Sequence, residues 1–170
     1  EVPRVVSQLS ATAHHIPFQS TFLHDSTASS GGSGLFHTGS ILTDPHHIEE
    51  LDSVLKNHSM AGSFGSGGGN HCIYFSASGT IRRNRIDNCS PTDGNGQAIG
   101  THSVLAAVTV DISANEISRY GFQGIEVANV TNSKIYNNVV RDGSTVGCLF
   151  SGFSDTFTCS GITNQGSGGA

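Results

Sequence analysis

The sequence predicts an all-β chain: a right-handed parallel β-helix, or solenoid, of about four to five coils behind a loop-rich N-terminal segment. Three observations point there. The composition suits short strands and turns, a six-residue motif recurs at coil-length spacing, and a second short apolar run stands before each copy.

Of 170 residues, 22 are glycine, tryptophan is absent and only 12% are charged. Long helices draw on Ala, Leu, Glu, Lys and Arg, in which this chain is poor. Short strands joined by Gly, Asn and Ser turns fit it better. The apolar share is 35%, but Val and Ile are clustered, which argues against disorder over residues 70–165. The net charge of −5, with Lys56 and Lys134 the sole lysines, excludes a basic nucleic-acid groove. No apolar run approaches the ~20 residues of a membrane span. The chain begins at Glu1 without a signal peptide and reads as processed or as a piece of something longer.

The motif is apolar-x-x-Asn-x-apolar. It appears as Ile81-Arg82-Arg83-Asn84-Arg85-Ile86, Ile112-Ser113-Ala114-Asn115-Glu116-Ile117 and Ile135-Tyr136-Asn137-Asn138-Val139-Val140, with offsets 112 − 81 = 31 and 135 − 112 = 23. Phe157 to Ile162 reads as a degenerate fourth copy, and Leu55 to Met60 as an earlier one with His58 at the Asn position. The preceding runs are Cys72 to Phe75, Ala98 to Gly100, Gly124 to Val127 and Cys148 to Phe150. One such coil cannot bury its own apolar face. Stacking coils about 4.8 Å apart puts Ile81, Ile112 and Ile135 on one another and lines up Asn84, Asn115 and Asn138 at a bend. There asparagine tolerates left-handed backbone and one amide can bond the next.

From Gly124 to Val127 and from Ser133 to Val140 the chain resembles the right-handed parallel β-helix, or pectate-lyase-like, superfamily, and the resemblance covers roughly residues 70–165. It implies a fold more than an activity, since that superfamily includes polysaccharide lyases, epimerases, glycosidases, tailspikes and adhesins. The domain reading is a loop-rich segment over 1–69 with one or two irregular coils, the β-helix over 70–165, and a flexible tail over 166–170. Within the first segment, Asp44-Pro45 followed by Ile48, Leu51 and Leu55 fits a helix start. A further coil competes for residues 45–57 and is favoured, because Leu55 to Ile81 spans 26 residues, a coil length.

The chemistry is sparse. Asp44-Pro45-His46 partly resembles the Asp-Pro-His-Glu stretch of alginate epimerases, but His47 replaces the Glu. The marks of polygalacturonases and the Arg-rich stretch of pectate lyases are missing. Stacking the copies brings Asp87, Ser118 and Arg141 into one column and Arg119 and Asp142 into the next. These four charged residues are candidate catalytic or sugar-binding groups, although a solvated face of ion pairs is the blander alternative. Tyr74, Tyr120, Phe122 and Tyr136 could stack on sugar rings. Eight of nine histidines precede residue 72, with adjacent pairs at His14-His15 and His46-His47; no metal or other cofactor is expected. Cys72, Cys89, Cys148 and Cys159 permit two local disulfides, Cys72–Cys89 and Cys148–Cys159. Asn57, Asn88 and Asn129 open glycosylation sequons.

The expected function is a structural or adhesive module of an extracellular, cell-surface or virion-surface assembly such as a fibre or spike. Self-association or continuation into more coils would cover its ends, and polysaccharide is a candidate partner. The alternative is a carbohydrate-active enzyme, a lyase, epimerase or hydrolase.

Overall fold

The computed structural model describes residues 9, 12–28, 34–38, 46–60, 70–89, 96–102, 108–128, 130–143 and 160–165. They form fifteen strands in five rungs of three. The first rung holds β1 (His14–Gln19), β2 (Phe22–Ala28) and β3 (Gly34–His37); the second holds β4 (His46–Leu51), β5 (Val54–Met60) and β6 (Asn70–Phe75). The third comprises β7 (Ser78–Arg82), β8 (Arg85–Cys89) and β9 (Gly96–His102), the fourth β10 (Val110–Ser113), β11 (Glu116–Tyr120) and β12 (Gln123–Ala128). The fifth comprises β13 (Lys134–Tyr136), β14 (Val139–Gly143) and β15 (Ser160–Gln165). Every strand pairs in parallel with its counterpart one rung away, giving three five-stranded sheets: A (β1-β4-β7-β10-β13), B (β2-β5-β8-β11-β14) and C (β3-β6-β9-β12-β15). The protein is a β-solenoid.

Three apolar columns fill the interior. Sheet A contributes Ile81, Ile112 and Ile135 in register. Sheet B contributes Leu23, Leu55, Ile86, Ile117 and Val140. Sheet C adds Phe36, Ile73, Ile99, Ile125 and Ile162. The isoleucines of the middle rungs are fully buried. No rung could shield these side chains alone, so the burial that stabilises each coil comes from its neighbours.

The corner between sheets A and B explains the asparagine motif. The Asn115 Oδ1 accepts the Asn84 backbone N–H at 3.0 Å, and its Nδ2 donates to the Ile81 carbonyl at 3.0 Å. Asn84 treats Ser53 N–H and the Glu50 carbonyl the same way at 2.9 and 2.8 Å, and Asn138 serves Asn115 N–H and the Ile112 carbonyl at 3.0 and 2.9 Å. Each amide therefore satisfies a donor and an acceptor that the turn of the previous rung leaves without a strand partner.

The sequence suggested that these asparagines take the left-handed backbone. The structure places that step one residue earlier, at Ser20, Asp52, Arg83, Ala114 and Asn137, with φ between 52° and 58°. A left-handed residue swings the chain around the corner, so the next side chain points inward where it can reach the preceding rung. A second left-handed column, Asp25, Asn57, Asn88, Arg119 and Asp142, bends sheet B on all five rungs.

The early part of the chain departs from the expected register. Residues 46–60 form strands, not a helix. Leu55 lies opposite Ile86 rather than at the Ile81 position, which Glu50 occupies. The ladder position is held by Ser53 and, one rung earlier, by Thr21, whose backbone N–H donates to Ser53 Oγ at 3.1 Å. His58 lies in sheet B beside Cys89, away from the ladder. At the other end, Ile162 pairs with Ile125 in sheet C, so it continues the second apolar run and not the Ile-x-x-Asn motif. Phe157 and the run at Cys148 to Phe150 fall outside the described residues.

A disulfide joins Cys72 on β6 to Cys89 on β8, with Cα atoms 5.8 Å apart and both residues fully buried. The bridge closes a loop of 17 residues, for which chain-entropy arguments give a contribution of about 3 kcal/mol. Cys148 and Cys159 lie outside the described residues. Among those residues no helix is long and apolar enough to cross a membrane.

Candidate functional site

The charged residues singled out in the sequence meet on the outer face of sheet B. Asp87, Ser118 and Arg141 share one column, and Arg119 and Asp142 the next. Asp87 is held by Ser118 Oγ at 2.8 Å and by a two-pronged contact with the Arg119 guanidinium, whose Nε lies 2.8 Å away. The Arg119 contact keeps the Asp87 carboxyl below its ordinary range, so it stays ionised and is poorly suited to donate a proton. Arg141 bridges Glu116 at 3.1 Å and Asp142 at 2.6 Å. Asp52 and Arg83 repeat the arrangement at the corner. The Asp87–Arg119, Glu116–Arg141 and Asp52–Arg83 pairs each tie two rungs together, whereas Arg141–Asp142 lies within one strand, and such surface pairs are each of small net value.

The sequon residues Asn57 and Asn88 belong to the left-handed column of sheet B. Asn57 donates to Asp25 Oδ1 at 2.7 Å, and Asn88 donates to Asn57 Oδ1 at 2.9 Å. Their amides serve the stack. Asn129 lies outside the described residues.

Of the aromatic candidates, Tyr120 and Phe122 are buried and offer no ring to a sugar, whereas Tyr136 is exposed and its hydroxyl donates to Asp111 at 3.2 Å. Tyr74 belongs to a cluster on sheet C that the sequence reading did not assemble. On the face opposite the Ile73–Ile99–Ile125 column, the His71 and Tyr74 rings meet edge to face at 4.8 Å, and His37 meets Tyr74 at 4.7 Å. Gln97 donates through Nε2 to Gln123 Oε1 at 2.6 Å and to Glu126 Oε2. Gly100 is required here, because a Cβ on it would fall 2.2 Å from His71 Cδ2 and 2.8 Å from Gln97 Oε1.

Burial raises the Glu126 carboxyl above its ordinary range, opposed by the Gln97 hydrogen bond. The same burial, with Glu126 nearby, pushes the Tyr74 hydroxyl up to about 12. Among the described residues Gln97 Oε1 is buried without a hydrogen-bond partner. A carboxyl with a raised pKa beside fixed amides is a group able to hold and deliver a proton. The sequence repeats a polar residue in His71-Cys72-Ile73, Gln97-Ala98-Ile99 and Gln123-Gly124-Ile125, but strict alternation puts a residue two before the core isoleucine on the isoleucine's own face, so the outer placement was not legible there.

Sheet A carries an open groove of about 490 Å³, lined by His47, Glu49, Thr80, Asp111 and Lys134 among others. The close approach of strands beside it demands Gly79, whose Cβ would meet the Ile48 carbonyl oxygen at 1.9 Å. At no point among the described residues do three or more His, Cys, Asp or Glu side chains converge as ligands of one metal ion.

No family model, curated protein or solved structure matches the chain. The class is defined by the architecture alone.

Proposed function

We propose that the chain is a structural module of an extracellular or surface assembly, a right-handed β-solenoid whose copies join through their terminal rungs. One observation carries this reading. Among the described residues the exposed large apolar side chains are Phe22 on the first rung and Tyr136, Val139 and Ile162 on the last. Among the described residues the three inner rungs leave none exposed. Open edges of parallel strands flanked by apolar side chains favour pairing with another edge. The general preference of parallel crossovers and the resemblance to the pectate-lyase-like superfamily support the right hand.

Sedimentation velocity on the full chain over a wide concentration range should show growth beyond the monomer. Val139→Lys with Ile162→Lys should weaken that association at least ~10-fold, since charge on an open edge opposes pairing. The melting temperature should fall by a few degrees at most, because both side chains are already about half exposed. A monomer at every concentration would overturn the reading.

The Glu126 cluster favours a second reading, a carbohydrate-active enzyme in which Glu126 serves as the proton donor. Incubation with acidic polysaccharides should then yield unsaturated uronate absorbance or new reducing ends, lost in Glu126→Gln. Absence of both products would remove this reading.

A further inference from the structure

The paired histidines of the first two rungs form a compact array. His14 and His46 face each other across the β1–β4 pairing, and their rings stack at 5.6 Å with 20° between planes. His15 and His47 stack more closely, at 4.4 Å and 6°. Within each rung the neighbours meet edge on, at 5.1 Å for His14 and His15 and 5.3 Å for His46 and His47. All four are exposed.

The backbone builds this arrangement. His15 and His47 both have left-handed φ, 55° and 56°, and the β4–β7 register shifts between His46 and Ile48. Consecutive strand residues ordinarily point to opposite faces, whereas an irregularity of this kind re-aims a side chain. Two adjacent imidazoles are thereby brought side by side, and the next rung repeats the geometry.

The distance between donor atoms is informative. His14 Nδ1 and His15 Nδ1 lie 2.9 Å apart. Two nitrogens bound to one ion at about 2.0–2.1 Å stand about 2.9 Å apart at a right angle and about 3.3 Å apart at the tetrahedral angle. The pair is already near the bite of a cis chelate, and a metal ion can replace the proton that the two nitrogens share. Imidazole nitrogens suit Cu²⁺, Ni²⁺ and Zn²⁺, with Cu²⁺ the tightest.

We propose that His14, His15, His46 and His47 form an exposed site for one divalent transition-metal ion, held by the two imidazoles of one rung and completed by water. With only two side chains placed for simultaneous ligation, the site is exchangeable and does not support folding.

The test is titration of the full chain with Cu²⁺ alone, followed by calorimetry and by electron paramagnetic resonance. Saturable uptake of one ion with at least two equatorial nitrogens is expected. His15→Asn with His47→Asn, which retains a residue tolerant of left-handed backbone, should weaken that uptake at least ~10-fold with the melting temperature preserved. His14→Gln should weaken it too, and His24→Gln should leave it unchanged. No saturable uptake by the unaltered chain, or equal uptake by the His15→Asn/His47→Asn variant, would overturn the proposal.

Discussion

Asn115→Ala should destabilise the protein by about 3–5 kcal/mol, the largest effect expected of any single substitution here. The Asn115 amide is buried and makes contacts on both sides of its rung. Its Oδ1 accepts from Asn84 N–H at 3.0 Å and Asn84 Nδ2 at 3.1 Å; its Nδ2 donates to the Ile81 carbonyl and to Asn138 Oδ1, each at 3.0 Å. Truncation leaves several of these groups buried without partners, and each such group costs ~1–3 kcal/mol. The polar stack is cooperative, so the loss should exceed that of a single hydrogen bond. Urea unfolding at fixed pH measures it through the midpoint at unchanged slope. Asn138→Ala should cost less, because Asn138 is only half-buried on the last rung. A loss below ~1 kcal/mol for Asn115→Ala would mean the ladder is incidental to stability.

Glu50→Gln should stabilise the protein at neutral and alkaline pH. Glu50 occupies the interior column of sheet A between Phe18 and Ile81, with no exposed surface. Oε1 accepts from Thr21 Oγ1 at 3.3 Å, and among the described residues Oε2 has no hydrogen-bond partner. Burial pushes this carboxyl up from 4.5 to about 7, partly opposed by Ser53 and Thr21.

The folded state thus holds a proton that the unfolded chain releases. Between pH 4.5 and 7 the folded protein binds more protons, so stability falls as pH rises through that window and levels off above it. A shift of this size corresponds to about 3 kcal/mol. Carboxyls held low by arginine, such as Asp87, act in the opposite sense in more acidic solution. The informative quantity is therefore the stability of Glu50→Gln minus that of the unaltered chain. It should grow by about 3 kcal/mol between pH 4 and 8. A difference that stays flat with pH would contradict the burial argument.

The contrast between these two residues shows what the sequence could reveal. The repeat was legible wherever isoleucine and asparagine coincide, at Asn84, Asn115 and Asn138, because apolar stacking and amide pairing leave the same spacing in each copy. It blurred in the second rung, where Glu50 takes the isoleucine position and Ser53 the asparagine position. The true offset there, 84 − 53 = 31, equals the 115 − 84 = 31 of the next coil. Apolar residues alone align Leu55 with Ile81, which hides that offset. Serine can fill the place because its hydroxyl still accepts the Thr21 N–H, although it reaches less far than an amide. Chemistry was harder to read than fold. The Gln97–Glu126 pairing depends on a register between rungs 29 residues apart in the chain, and Glu126 has no counterpart in the neighbouring runs. Ion pairs such as Asp87 with Arg119 could be placed by column, but the diagonal partner followed only from side-chain geometry.

The amide ladder also gives the rod a direction. From Thr21 to Asn138 every link runs the same way: a main-chain N–H of one rung reaches for a side-chain oxygen of the following one. Two molecules meeting through identical ends would set like groups against like, so a two-fold dimer cannot prolong the pattern. Only unlike ends match, and a contact of that heterologous kind leaves a fresh copy of itself at each tip. Joined in this manner, the protein would polymerise as a polar filament, with one growing end chemically distinct from the other.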